Sequence, residues 1–203
     1  MISLEHKFLF VHVPKTGGNS LQNILRYYSE DEIIINARHQ DGVERFEVRN
    51  PRYQIVKHST LSDYRSVIEP EVYAQLFKFA TLRNPWDLMI SFYFSPHRGV
   101  TQWDCNDFLA LIKSTPPIRH YILEQPSSSV AGRLDRDLDC LLRFENLEQD
   151  FFRVCDRLGI PRTTLPRRNC SQRAHYAQYY NAELRALVAR KFAEEIEFGG
   201  YRF

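Results

Sequence analysis

The segment 8–20 constrains the fold of this chain more than any other part of the sequence. An apolar, strand-like run over 8–13 meets a turn that contains Pro14, Gly17 and Gly18, and a helical pattern with one apolar face follows it. A strand that enters a helix through a glycine-rich turn aims backbone N–H groups and the helix N-terminus at one point. The sequence therefore predicts a strand–loop–helix unit whose loop binds an anion such as a phosphate.

The loop reads P-K-T-G-G-N-S, and each residue in it is a candidate for phosphate contact: Pro14, Lys15, Thr16, Gly17, Gly18, Asn19 and Ser20. Its lysine precedes the glycines, whereas a nucleoside-triphosphate P-loop places Lys after them in G-x-x-x-x-G-K-[ST]. This order resembles the 5′-phosphosulfate loop of sulfotransferases that use 3′-phosphoadenosine 5′-phosphosulfate (PAPS). Position 19 is Asn where that family often has Thr or Ser. The alternative is a glycine-rich turn that only follows a core strand.

A second strand-to-helix junction lies downstream, after the apolar run 76–82. Asn84 is a suitable N-cap and Asp87 favours the first helical turn. The pattern R-N-P-x-D-x-x-x-S-x-Y resembles the 3′-phosphate motif of the same family, which implies that Arg83 and Ser91 hold the 3′-phosphate. The alternative is an Arg83 that forms a salt bridge with Asp87 and a Ser91 that is only packed in a helix.

Strand patterns alternate with helical patterns along the chain, which favours an α/β protein with helices on both faces of a central parallel sheet. The strand candidates are 7–13, 31–36, 53–58, 76–82 and 139–145, and the helix candidates are 18–29, 60–67, 70–75, 86–94, 104–113, 148–158 and 181–197. We expect one three-layer domain with a P-loop-like fold over 1–203. Both phosphate motifs follow strands, and ligands of such folds bind at the carboxyl ends of the strands. The proline-rich stretch 95–135 is expected to be an insertion on the acceptor side.

Composition narrows the classes of partner and site. The chain of 203 residues has a net charge of only +2, so its overall electrostatic potential does not favour the binding of nucleic acid. The four cysteines include no C-x-x-C pair, so no metal site is expected. The first residues lack the pattern of a signal peptide, and no apolar run approaches the length of a membrane span, so a cytoplasmic location is expected.

A candidate general base follows the strand pattern 53–58. The sequence K-H-S-T-L places His58 at the end of that strand and resembles the uronyl 2-O-sulfotransferase branch, in which a histidine after the corresponding strand acts as base. Lys15 is the candidate for stabilising charge on the leaving phosphate. His12, inside the first strand, is expected to be a core residue. If His58 is structural, the next candidates for the base are Glu145, His97 and His120.

The stretch 165–176 resembles the late loop that closes over the cofactor in this family. The resemblance implies that Asn169, Ser171, Arg173 and Tyr176 contact the nucleotide. A basic loop that caps the last helix is the alternative. Taken together, the motifs predict a sulfotransferase that binds PAPS and its product 3′-phosphoadenosine 5′-phosphate (PAP), with a carbohydrate hydroxyl as acceptor. A P-loop-like nucleotide kinase and a non-catalytic binder of phosphoadenosine nucleotides are the two alternatives.

Overall fold

The computed structural model describes residues 1–37, 45–125, 134–167 and 173–203. The strands are β1 (Ile2–Ser3), β2 (Phe8–Val11), β3 (Glu32–Ala37), β4 (Arg45–Asn50), β5 (Ile55–Val56), β6 (Phe77–Leu82) and β7 (Cys140–Arg143). The helices are α1 (Gly18–Leu25), α2 (Leu61–Val67), α3 (Pro70–Tyr73), α4 (Pro85–Tyr93), α5 (Cys105–Ser114), α6 (Arg119–Ile122), α7 (Leu134–Asp137), α8 (Leu147–Leu158), α9 (Ala182–Lys191) and α10 (Ala193–Gly199). Short 3₁₀ turns cover Pro96–Arg98, Phe144–Asn146 and Tyr176–Tyr179.

The central sheet has the order β1-β2-β6-β7. Strand β6 lies between β2 and β7 and is parallel to both, with Phe10 opposite Phe79 and Phe79 opposite Cys140. Strand β1 pairs antiparallel with β2 at the edge. The central β2 is buried along its whole length, as expected for a strand covered on both faces.

Alternate residues of the central strands enter two apolar layers. Leu9 and Leu82 pack in a cluster that includes Met89 of α4 and Val188 of α9. The opposite face supplies a second cluster: Phe8, Phe10, Phe79 and Leu142 with Leu21 of α1 and Phe151 of α8. Helices therefore cover both faces of the sheet, and the predicted three-layer α/β class is confirmed.

The segments around 31–36 and 53–58 depart from the prediction. They form β3 and β5 in a separate antiparallel sheet with the order β3-β4-β5, instead of joining the parallel sheet. The sequence F-E-V-R in β4 alternates buried and more exposed positions, which suits a sheet packed on one face only. The strand pattern of β4 was not predicted, and with it the reason for this second sheet was missed.

The predicted helix 181–197 is interrupted at Phe192, whose backbone (φ −111°, ψ 29°) separates α9 from α10. After this break, Glu195 of α10 is fully buried and accepts hydrogen bonds from the backbone and guanidinium of Arg119 at 3.0 Å each. This ion pair attaches α6 to the C-terminal helices. No helix in the described part of the chain is long and apolar enough to cross a membrane.

The Arg119–Glu195 pair generates a stability prediction. Arg119→Met keeps most of the apolar stem but leaves the buried carboxylate without its counter-charge, so the free energy of unfolding should fall by about 3–5 kcal/mol. Arg162→Met breaks an exposed ion pair with Asp156 and is the matched control, which we expect to change stability little. Urea denaturation measures both. Equal losses in the two variants would contradict the role of the buried pair.

Candidate active site

A cleft of about 930 Å³ opens beyond the ends of β2 and β6, and its wall contains most of the predicted site residues. Those residues are Pro14, Lys15, Gly17, Gly18, Asn19, Ser20, His58, Arg83, Ser91, Arg173 and Tyr176. Because the loop after β2 and the start of α4 border the same cavity, the two predicted phosphate motifs share one site. Asn169 and Ser171 lie outside the described residues.

The glycines of the first loop are needed where the chain passes closest to its neighbours. Gly17 has a positive φ of 88°, and a Cβ there would lie 2.6 Å from Leu147. A Cβ on Gly18 would collide with the imidazole of His12. Gly17 precedes the first turn of α1 without any capping side-chain hydrogen bond. The loop therefore presents a helix N-terminus to the cleft, an arrangement that favours an anion.

Thr16 has a different role from the one predicted. Its side chain is fully buried, donates a 2.7 Å hydrogen bond to the carbonyl of Val13 and pairs with the hydroxyl of Thr81 on β6. This corrects the expectation that its hydroxyl faces a phosphate. The hydroxyl instead fixes the loop to the neighbouring strand, and this pairing across strands has no local signal in the sequence.

Arg83 joins the two motifs physically. Its Nη1 donates to the carbonyl of Lys15 at 2.7 Å, while Nε and Nη2 donate to Asp87 Oδ2 at 2.8 and 2.6 Å. Its guanidinium also lies 3.8 Å from the ring centre of Phe144. The salt bridge with Asp87 and the position in the cleft beside Ser91 thus occur together, although the sequence offered them as alternatives.

The described lining residues carry more positive than negative charge. The cationic side chains are those of Lys15, Lys57, Arg83, Arg167 and Arg173, and the carboxylates are those of Asp87 and Glu148. Asp87 pairs with both Arg83 and Arg173. Glu148 accepts a hydrogen bond from the backbone N–H of Leu165 at 2.9 Å. Such a wall suits an anionic ligand.

The ammonium of Lys15 is destabilised by its surroundings. Burial is the largest cause, and the nearby charges of Arg83, Arg173 and Lys57 add to it, so that the pKa of Lys15 falls from 10.5 to about 8. Its Nζ donates to the hydroxyl of Ser95 at 3.1 Å. The residue also adopts a positive φ of 65°, which is uncommon for a residue with a side chain. Perturbed pKa values of this kind concentrate at functional sites.

His58 lies at the exposed mouth of the cleft. Its Nδ1 is 3.0 Å from the backbone carbonyl of His12. Because a carbonyl only accepts, Nδ1 carries the proton, and the lone pair of the neutral ring is on Nε2. Burial of part of the ring lowers the pKa of His58 below 6.5, against the opposing effect of the His12 hydrogen bond. The tautomer and the protonation state both suit a proton acceptor at neutral pH.

His12 is buried, as expected for a core residue, and it supports His58. The ring centres of the two histidines are 4.6 Å apart, and the ring of Phe10 stacks with that of His12 at a centre-to-centre distance of 6.0 Å. Burial, followed by the charge of His58, holds the pKa of His12 well below 6.5. A neutral His12 therefore adds no charge to the site near pH 7.

The sequence profile of the Sulfotransferase family matches residues 1–201. The chain belongs to the sulfotransferase family. Among solved structures, this sulfotransferase is similar to a sulfotransferase from Alicyclobacillus acidocaldarius, at 16% identity and a TM-score of 0.47 over 97% of this chain and 96% of the other. No curated protein matches the chain by sequence.

The other candidate bases of the sulfotransferase differ in position. Glu145 accepts hydrogen bonds from the backbone of Asn84 at 2.8 Å and from the hydroxyl of Tyr201 at 3.0 Å, so its carboxylate is already engaged. His97 lines the cleft, and it comes from the part of 95–135 that was expected on the acceptor side. His120 is not among the lining residues. His58 remains the best placed of the four.

Sequence reasoning missed several residues that shape this site. Ser95 lies four residues after Ser91, just beyond the end of α4, and it accepts a hydrogen bond from Lys15 Nζ. Lys57 precedes His58 and lines the cleft. Phe144 had no local signal, because its contact with Arg83 depends on how β7 packs beside β6. Among the described residues, no group of three or more His, Cys, Asp or Glu side chains is arranged to hold a metal ion.

The environment of Lys15 gives a direct titration test. Only the neutral amine reacts with acetic anhydride, so competitive labelling of Lys15 in the folded protein should have its midpoint at about pH 8. The same lysine in the protein unfolded by urea should label with the ordinary midpoint near 10.5. A folded-state midpoint equal to that of the unfolded chain would show that neither burial nor the neighbouring cations act on this side chain.

Proposed function

We propose that this sulfotransferase moves a sulfuryl group from PAPS to a hydroxyl group of a carbohydrate. The observation that carries the proposal is the 2.7 Å hydrogen bond from Arg83 to the carbonyl of Lys15, which brings both phosphate motifs to one cleft. A nucleotide with separate 5′ and 3′ phosphates needs two anion sites. The cleft offers one at the loop 14–20 and another around Arg83 and Ser91.

The residues divide between the two ends of the nucleotide. The backbone N–H groups of Gly17 to Ser20 and the side chain of Lys15 are placed to bind the 5′ end. Arg83 and Ser91 bind the 3′-phosphate, with Arg173 and Tyr176 on the adjacent wall. Asn169 and Ser171 are retained as contacts by family resemblance alone.

His58 and Lys15 supply the two complementary parts of the chemistry. PAPS supplies the sulfuryl group when it is bound. Nε2 of His58 takes the proton of the acceptor hydroxyl while the oxygen of that hydroxyl forms its bond to sulfur. The ammonium of Lys15 stabilises the negative charge that remains on the 5′-phosphate oxygen when its bond to sulfur breaks. The remaining loop contacts hold the reacting groups in line.

The proposed carbohydrate acceptor rests on the K-H-S-T-L resemblance and on the rim of the cleft. His58, His97 and His175 line the cleft and are exposed, and the half-buried Tyr176 adds aromatic surface to the same wall. Such a rim offers hydrogen bonds to hydroxyl groups and flat faces to sugar rings. A nucleotide kinase is disfavoured because Lys15 precedes the glycines of its loop.

Sulfate transfer from ³⁵S-labelled PAPS to a panel of glycans, lipids and phenols tests the proposal. We expect labelled glycan and stoichiometric PAP. Binding of PAP without transfer to any acceptor would favour the non-catalytic alternative. Binding of ATP in preference to PAP would favour a kinase.

Arg83→Ala should weaken the binding of PAP. It removes a charge-assisted contact of about 1.5–3 kcal/mol, so the Kd for PAP measured by calorimetry should rise by about one to two decades. Arg98→Ala is the control, because Arg98 pairs with Asp107 at 2.8 Å and is not a lining residue. If the two variants bind PAP equally well, Arg83 does not hold the phosphate.

His58→Ala tests the proposed base. A positioned base contributes about 10²- to 10⁴-fold, so kcat should fall by that factor while the Kd for PAP is unchanged. In the wild type, kcat/KM should decline as the pH falls through the pKa of His58, which lies below 6.5, because the protonated ring cannot accept a proton. The variant should lose this acid limb. His120→Ala is the control, and a similar profile for both variants would make His58 structural.

A further inference from the structure

One carboxylate lies between two guanidinium groups that come from distant parts of the chain. Asp87 Oδ2 accepts from Nε and Nη2 of Arg83 at 2.8 and 2.6 Å, and Oδ1 accepts from Nη2 of Arg173. Only 20% of the Asp87 side chain is exposed, and Arg83 and Arg173 are less exposed still, at 9% and 11%. The carboxylate therefore divides its two oxygens between the two arginines that the proposed function assigns to the nucleotide.

We propose that Asp87 is a positioning residue that holds Arg83 and Arg173 side by side at the 3′-phosphate site of the cleft. This inference rests on the proposed function, because it concerns the same nucleotide site. It assigns a role to a residue that contacts the nucleotide only through its two neighbours.

The contacts of Arg83 leave its guanidinium little freedom. Of the five N–H donors of an arginine, two are directed to Asp87 and one to the carbonyl of Lys15. The ring of Phe144, 3.8 Å from the guanidinium carbon, restricts the plane of the group. Two donors, one on each terminal nitrogen, are then held in fixed directions. A preformed pair of donors binds a phosphate without further loss of side-chain entropy.

Arg173 depends on Asp87 for its place in the cleft. It begins the segment 173–180, which also carries Tyr176, and the Asp87 bond attaches this segment to the first turn of α4. Further along, the hydroxyl of Tyr180 donates to the carbonyl of Trp86 at 2.9 Å. The ring centres of Tyr179 and Trp103 are 5.1 Å apart. Of these three contacts, the Asp87–Arg173 bond is the ionic one.

Asp87 could act on PAP binding through its charge alone or by positioning the arginines, and the two roles predict opposite effects of Asp87→Asn. Asp87→Asn removes a negative charge from a cleft that binds an anion, so an electrostatic effect alone would tighten the binding of PAP. If Asp87 positions the arginines, the same variant loses the ionic bridge and binds PAP more weakly. The sign of the change therefore separates the two explanations.

The experiment is calorimetric titration of PAP into the wild type, Asp87→Asn and Asp87→Glu, with circular dichroism to confirm folding. We expect the Kd to rise about tenfold in Asp87→Asn, a change equivalent to about 1.4 kcal/mol. Asp87→Glu keeps the charge and displaces the carboxylate by one methylene, so it should also weaken binding. Unchanged or tighter binding in a folded Asp87→Asn would overturn the proposal. If that variant does not fold, wild-type affinity in Asp87→Glu has the same consequence.

Asp156→Asn is the matched control, because it makes the same chemical change in a carboxylate that binds Arg162 at 2.8 and 2.6 Å on the exposed surface. Its Kd for PAP should equal that of the wild type. A second measurement needs no nucleotide. Backbone hydrogen exchange over 173–180 should be faster in Asp87→Asn than in the wild type, and equal exchange would contradict attachment through Asp87. If wild-type protein fails to bind PAP, the proposed function fails, while hydrogen exchange still decides whether Asp87 positions Arg173.

Discussion

The site depends on the contacts that satisfy the buried guanidinium of Arg83. A cation removed from water must be paired and hydrogen-bonded, and here Asp87, the carbonyl of Lys15 and the ring of Phe144 provide for it. Those partners come from α4, from the loop after β2 and from the 3₁₀ turn after β7. Satisfying one charge therefore fixes three segments around the cleft, and the parallel order β2-β6-β7 brings those segments together.

The same arrangement concentrates positive charge where a ligand would bind. Burial and the neighbouring cations hold the pKa of Lys15 at about 8, so the folded protein destabilises the charged form of this side chain. An anionic ligand would relieve this repulsion. Asp87 relieves part of it for Arg83 and Arg173, and Ser95 accepts a hydrogen bond from Lys15 Nζ. The charge distribution in the cleft thus favours an anionic ligand.

Sequence reasoning succeeded for the local structure of two strand–loop–helix units. The strands and helices on either side of 14–20 and of Arg83 form where they were predicted, because turn glycines, an N-cap and a strand pattern are local signals. It failed where contacts between distant parts of the chain determine the structure. The antiparallel sheet that contains β5, the buried hydroxyl of Thr16 and the contact between Arg83 and Phe144 depend on residues far apart in the chain. His58 illustrates both cases, since it lines the predicted cleft but follows a strand of the second sheet.

A crystal structure of the protein with PAP would show whether the two phosphate motifs form one nucleotide site. We expect the 5′-phosphate at the N–H groups of the loop 14–20, within reach of Lys15. The 3′-phosphate should lie between Arg83 and Ser91, with Asp87 still bonded to Arg83. Binding of PAP with either phosphate outside these positions, or no density for PAP in the cleft at saturating concentration, would contradict the claim that the two motifs form one nucleotide site.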